Sequence, residues 1–154
     1  MRERWLRIGI LAGVLLAICV IGRLVVRIWF DGEIESEERV AWITLGAVGV
    51  VLAGVAIWWA RLRTIGVVVA DIAGAAIAAG LVNLLFGPFI NGTTPAQLGA
   101  GALFEAAWQY AAAAGLGTLI GLLLLIAAGK DYKSQSLKRF AEAKLTKPRR
   151  PVRR

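Results

Sequence analysis

Histidine is absent from this chain of 154 residues, cysteine occurs once and proline only four times. Without histidine there is no imidazole to move protons near neutral pH or to ligate a metal. Cys19 is alone, so no disulfide can close within the chain, and its place inside an apolar run suits a small packing residue. The only serines, Ser36, Ser134 and Ser136, lie outside the apolar runs, which leaves no serine nucleophile at membrane depth. An intramembrane aspartyl protease needs two facing aspartates, and Asp71 is the single one inside an apolar segment. These gaps exclude the common chemistries of membrane enzymes. The chain is expected to be non-enzymatic, with no catalytic residue, cofactor site or metal site, and it carries no motif specific to a protein family.

Apolar residues are what the chain has in excess. They make up 58% of it, against about 45–50% in soluble domains. Uncharged runs cover Ile8–Val20, Val40–Ala60, Ile72–Phe104 and Ala106–Gly129, with Gly87-Pro88 breaking the third. A spanning helix takes roughly 20 apolar residues, so four spans leave only short connectors and a tail. The expected fold class is all-α: an integral membrane four-helix bundle with a short basic amphipathic helix at the C-terminus. Residues 1–129 form the transmembrane domain, with spans at about 5–30, 38–60, 64–86 and 97–129, and residues 130–154 form a basic tail. The N-terminus loosely imitates a signal peptide but lacks a small-residue cleavage site, so it is read as a retained first span.

Charge alternates between the spans. Met1–Arg7 is basic, Asp31–Glu38 acidic, Arg61–Arg63 basic, Gly87–Gly99 uncharged, and the chain from Lys130 onward strongly basic. The tail holds ten Lys and Arg against Asp131 and Glu142, and so accounts by itself for the net +8 of the chain. This pattern places both termini in the cytoplasm by the positive-inside rule. The Ala, Gly, Val and Arg bias suggests a bacterial inner membrane.

Local signals refine the spans. The first helix should run from Trp5 to Phe30, with Trp5 and Trp29 at the two interfaces. Ser36 followed by Glu37-Glu38 reads as an N-cap with acids in the first turn, so the second helix should begin near Glu37 and end at Trp58-Trp59. The third should occupy Thr64–Phe86, stopped by Gly87-Pro88 and held beside the second by its short connection. Thr94-Pro95-Ala96-Gln97 has the spacing of a capping box with Pro at the first helical position, so the fourth should start near Pro95 and reach Ala128. Asn91-Gly92-Thr93 fits a glycosylation sequon, and more simply a Gly/Asn turn.

Lipid gives helices no hydrophobic reason to associate, so close approach through small residues does much of that work. Gly66, Ala70, Gly74 and Ala78 make one such row on the third helix, Ala113, Gly117 and Gly121 another on the fourth, and Gly9 and Gly13 a shorter one on the first. The third helix is therefore expected at the centre of the bundle, although such rows also serve contacts between subunits.

Five polar residues interrupt the apolar spans: Arg23, Asp71, Asn83, Glu105 and Gln109. A charge at the bilayer centre costs about 2.5–3.5 kcal/mol even on the lenient insertion scale, so each needs a partner. Depth along the helices groups Arg23, Asn83, Glu105 and Gln109 in the outer third, where an Arg23–Glu105 ion pair with Asn83 and Gln109 as hydrogen-bond partners would relieve the cost. Asp71 stands apart in the cytoplasmic third. Three roles fit this cluster: a structural lock, a contact with another membrane subunit, or a polar path for protons or ions.

In the tail, Leu137, Phe140, Ala141 and Leu145 recur at helical spacing opposite Lys133, Lys138, Arg139 and Lys144, the pattern of an interfacial helix on anionic headgroups. Lys147, Arg149, Arg150, Arg153 and Arg154 extend the basic surface toward headgroups or a partner. Nucleic acid is not the expected partner, since no recognised module or stacking aromatic accompanies the charge. The leading functional expectation is an accessory subunit of a larger membrane assembly, such as an envelope lipid transporter or a respiratory complex. The alternative is a small homo-oligomeric transporter or channel with Glu105, Gln109 and Asp71 along its path.

Overall fold

The computed structural model describes residues 2–29, 34–90, 92–130 and 132–146, with the backbone alone for residue 2 and for residues 34–36 and 143–146. Among these there are five helices and no strand: α1 Arg2–Trp29, α2 Ile34–Ala60, α3 Ile65–Ile90, α4 Pro95–Ala127 and α5 Tyr132–Thr146. Four helices, α1 to α4, are long and apolar enough to cross a membrane. The 28 residues of α1 rise about 42 Å at 1.5 Å per residue, ample for a tilted crossing.

Each long helix gives one ridge to a narrow core. Leu11, Leu15 and Cys19 come from α1, Val48, Leu52, Ala56 and Ala60 from α2, Val68, Ile72, Ala75 and Ala79 from α3, and Tyr110, Ala114 and Leu125 from α4. The steps of three and four residues, with buried Gly117 and Gly121 filling the interval on α4, are those of one helical stripe. The opposite faces carry exposed Leu, Ile, Val, Phe and Trp along their length, including Trp5, Trp29, Trp58 and Trp108.

The ring closes in the order α1, α2, α4, α3. α2 packs chiefly on α4 and α1 on α3, while α2 and α3 meet only lightly across the diagonal. The expectation that α2 and α3 lie side by side is thus corrected. Four connecting residues, 61–64, reach across the diagonal because Arg63 turns inward there, as described below, and because α4 already occupies the close-packing face of α2. At that seam a Cβ added to Gly117 would strike the backbone of Gly49, and one added to Gly121 would strike the backbone of Ala53. The row on α4 does bring two helix backbones together. The row on α3 does not: Gly66, Ala70, Gly74 and Ala78 are all exposed, as are Gly9 and Gly13 of α1. The core face of α3 is instead Val68, Asp71, Ile72, Ala75, Ala76, Ala79 and Gly80.

Three helix ends also differ from expectation. α2 begins at Ile34, so Ser36 lies within its first turn rather than capping it; acids in that turn favour the positive helix terminus. α3 runs through Gly87-Pro88 to Ile90. A proline disfavours helix in the residue before it mainly by striking that residue's Cβ and N–H, and Gly87 has no Cβ. The true stop is Gly92, at φ +75°, where Gly92 N–H donates to the Phe89 carbonyl and Thr93 N–H to the Pro88 carbonyl, both at 3.1 Å. This is a Schellman closure. α4 starts at Pro95 as expected, with Thr94 N–H donating to Gln97 Oε1 at 2.9 Å. It then breaks at Gly99, whose φ of 78° and ψ of 158° belong to a region essentially reserved for glycine. The first turn of α4 is therefore set off from the long segment that follows.

Candidate functional site: polar groups at the two ends of the bundle

Asp71 lies near the start of α3, and its side chain is 1% exposed. Arg4, from the first turn of α1, donates from Nε to Asp71 Oδ1 at 2.6 Å, and its Nη2 lies 2.5 Å from the same oxygen. Arg63, from the connection after α2, donates from Nη1 to Asp71 Oδ2 at 3.2 Å. Two guanidinium groups thus share one buried carboxylate and tie α1, the α2–α3 connection and α3 at one end. Both cations keep an outlet to solvent, with side chains 50% and 29% exposed. Sequence reasoning read Arg63 only as part of a basic connection and gave Arg4 no partner. The only readable hint was that Arg63 precedes Asp71 by eight residues, close to two helical turns.

Arg23, near the other end, is half-buried on α1 and donates from Nε to Asn83 Oδ1 of α3 at 3.3 Å. Its guanidinium lies against Gly87, where an added Cβ would come within 2.8 Å of Arg23 Cζ and Nε. One turn on, Arg27 donates to the Ile90 carbonyl at the C-terminal end of α3, where a cation complements the helix dipole. The Arg23–Glu105 ion pair expected from depth does not form among the described residues. Glu105 sits exposed on α4 and accepts from Gln109 Nε2 at 3.2 Å, a bond within one helix. Depth along the helix could not fix the rotation of Glu105 about α4, which turns it outward. Asn83 is the partner that was anticipated.

Around Arg23 the four helices line a half-open chamber of about 180 Å³. Cys19, Gly22, Arg23 and Val26 line it from α1, Glu37, Val40, Ala41, Thr44 and Leu45 from α2, Asn83 from α3, and Ala106, Gln109 and Tyr110 from α4. Glu37 and Tyr110 were not among the residues singled out from sequence. The Tyr110 hydroxyl is buried with no hydrogen-bond partner among the described residues, and its ring presses on Gly80, where a Cβ would come within 2.9 Å of Tyr110 Cε1. On the other side of that ring, an apolar groove of about 700 Å³ opens between α3 and α4, lined by Val69, Ile77, Leu84, Ala111, Leu119 and Ile126 among others.

Of the remaining anticipated residues, Lys138 and Arg139 are exposed on α5, whose Leu137 and Phe140 are exposed as well. The side chain of Lys144 and the whole of Lys147, Arg149, Arg150, Arg153 and Arg154 lie outside the described residues. Among the described residues, no group of three His, Cys, Asp or Glu is placed to hold a metal. The architecture is that of a multi-pass membrane protein, all-helical with four helices of spanning length. No protein family, curated protein or solved structure matches the chain.

Proposed function

We propose that this protein is an accessory subunit of a multi-subunit assembly in a bacterial inner membrane, with both termini cytoplasmic. The observation that carries the reading is the outward face of α3. Gly66, Ala70, Gly74 and Ala78 form an exposed small-residue row, and nothing lies within 4 Å of a Cβ added to Gly66 or Gly74. Inside the molecule a shorter row of the same kind, around Gly117 and Gly121, receives another helix backbone. The row on α3 offers the same close approach to a helix from outside, and the α3–α4 groove beside it would receive that helix's larger side chains. The basic α5, with Leu137 and Phe140 exposed, fits an anionic membrane surface or a partner's acidic face. The orientation rests on the charge sorting, and the shared Arg4–Asp71–Arg63 cluster supports a common side for the N-terminus and the α2–α3 connection.

The alternative, a homo-oligomeric transporter, has less support. Asp71 is closed off by two arginines, Glu105 faces outward, and neither lines the chamber or the groove. Extraction in a mild detergent and affinity purification test the proposal. A foreign membrane protein should co-purify in fixed ratio, and Gly74→Leu should release it while the variant keeps its helicity. Recovery of this chain alone, or only as a homo-oligomer, would reject the subunit reading.

A further inference from the structure

The chamber around Arg23 is built from all four spans and has a charge arrangement that the fold itself does not use. Arg23, in its wall one turn above Cys19, spends one N–H on Asn83 Oδ1, and no other bond from its guanidinium forms among the described residues. Glu37, lining the same chamber from the first turns of α2, makes no ion pair there either. Gly22 of α1 touches Thr44 of α2, so Arg23 stands at about the level of Thr44. Glu37 is seven residues nearer the end of the bundle, a rise of about 10 Å. One cation therefore lies half-buried at depth and one carboxylate sits exposed at the mouth, facing one cavity without pairing. A half-buried guanidinium with no ion pair among the described residues is costly, and its planar fork suits two oxygens of a phosphate or carboxylate.

A simple anion would neutralise Arg23 but would approach past the Glu37 carboxylate; a simple cation would leave Arg23 bare. The geometry points to a site for a compact zwitterion, its anionic oxygens on Arg23 and its ammonium on Glu37, with Asn83 Nδ2 and Gln109 Oε1 as a further donor and acceptor. About 180 Å³ accommodates a group the size of phosphoethanolamine. Such a group is carried by an ethanolamine phospholipid or by a free solute. The site stands independently of the assembly proposed above.

The test uses the full chain in nanodiscs of phosphatidylglycerol, which has no ammonium, titrated calorimetrically with glycerophosphoethanolamine and, separately, with inorganic phosphate. The zwitterion should bind more tightly than phosphate, and Arg23→Gln and Glu37→Gln should each weaken it by about tenfold. Glu37→Gln should instead strengthen phosphate binding. A second arm offers ethanolamine phospholipid in mixed nanodiscs and follows retained lipid by native mass spectrometry. Retention that depends on Glu37 identifies a lipid headgroup as the source; binding of the soluble probe alone identifies a free solute. Failure of both to bind, tighter binding of phosphate than of the zwitterion, or zwitterion binding unchanged or improved by Glu37→Gln would overturn the proposal. Should Arg23→Gln fail to fold, Glu37→Gln at the exposed mouth still decides it.

Discussion

Asp71 carries the only charge in the described core, and its surroundings set what substitutions there will do. Each arginine partner can be lost alone at limited cost, because the other still compensates the carboxylate and the lost cation was partly solvated. Removing both leaves a buried charge bare, which costs about 3–5 kcal/mol. Arg4→Ala combined with Arg63→Ala should therefore destabilise the protein by more than the sum of the single changes. Adding Asp71→Asn should recover much of the loss. Thermal unfolding in detergent reads both effects, and strict additivity would show that the two arginines do not share Asp71. Pairings of this kind were the least legible part of the sequence. Hydropathy marked Asp71, Arg23 and Glu105 as residues needing partners, but partnership depends on rotation about each helix axis, and a uniformly apolar helix gives no periodic signal to fix that rotation. Asn83 was found because it shares a level with Arg23; Arg4 was missed because a basic residue near the membrane surface already has a sufficient explanation.

At the scale of helices, small residues come in two kinds that look alike in sequence. On α4, Gly117 and Gly121 are filled by the backbone of α2; on α3, Gly74 faces open space. Gly117→Ala or Gly121→Ala forces two backbones apart and should cost about 1–3 kcal/mol, the range for overpacking. Gly74→Ala meets nothing and should be neutral, or stabilising by up to about 1 kcal/mol through helix propensity. Equilibrium unfolding of purified variants distinguishes them, and equal effects at Gly121 and Gly74 would contradict the α2–α4 seam. The number of long helices was legible from the lengths of the apolar runs. The neighbour relations were not, since a short connection between α2 and α3 is as compatible with a diagonal as with a side. Pro88 misled for a local reason: the glycine before it removes much of the clash that usually ends a helix.

For the whole molecule, the proposed orientation rests on the sorting of charge, which assigns the α2–α3 connection to the cytoplasmic side and the start of α4 to the other. Cys19 is buried in the core, so replacing it with Ala frees the chain for single-cysteine labelling. Leu62, in the α2–α3 connection, and Gln97, in the first turn of α4, are both exposed and lie at opposite ends. A membrane-impermeant maleimide applied to intact cells should label Gln97→Cys and spare Leu62→Cys until the membrane is opened. The reverse pattern would invert the proposed orientation.

The Asp71 cluster also bears on how the chain is made. Arg4 and Arg63 both precede Asp71 in sequence, so both counter-charges have been synthesised when the carboxylate leaves the ribosome. Nothing translated after α3 is needed to neutralise it.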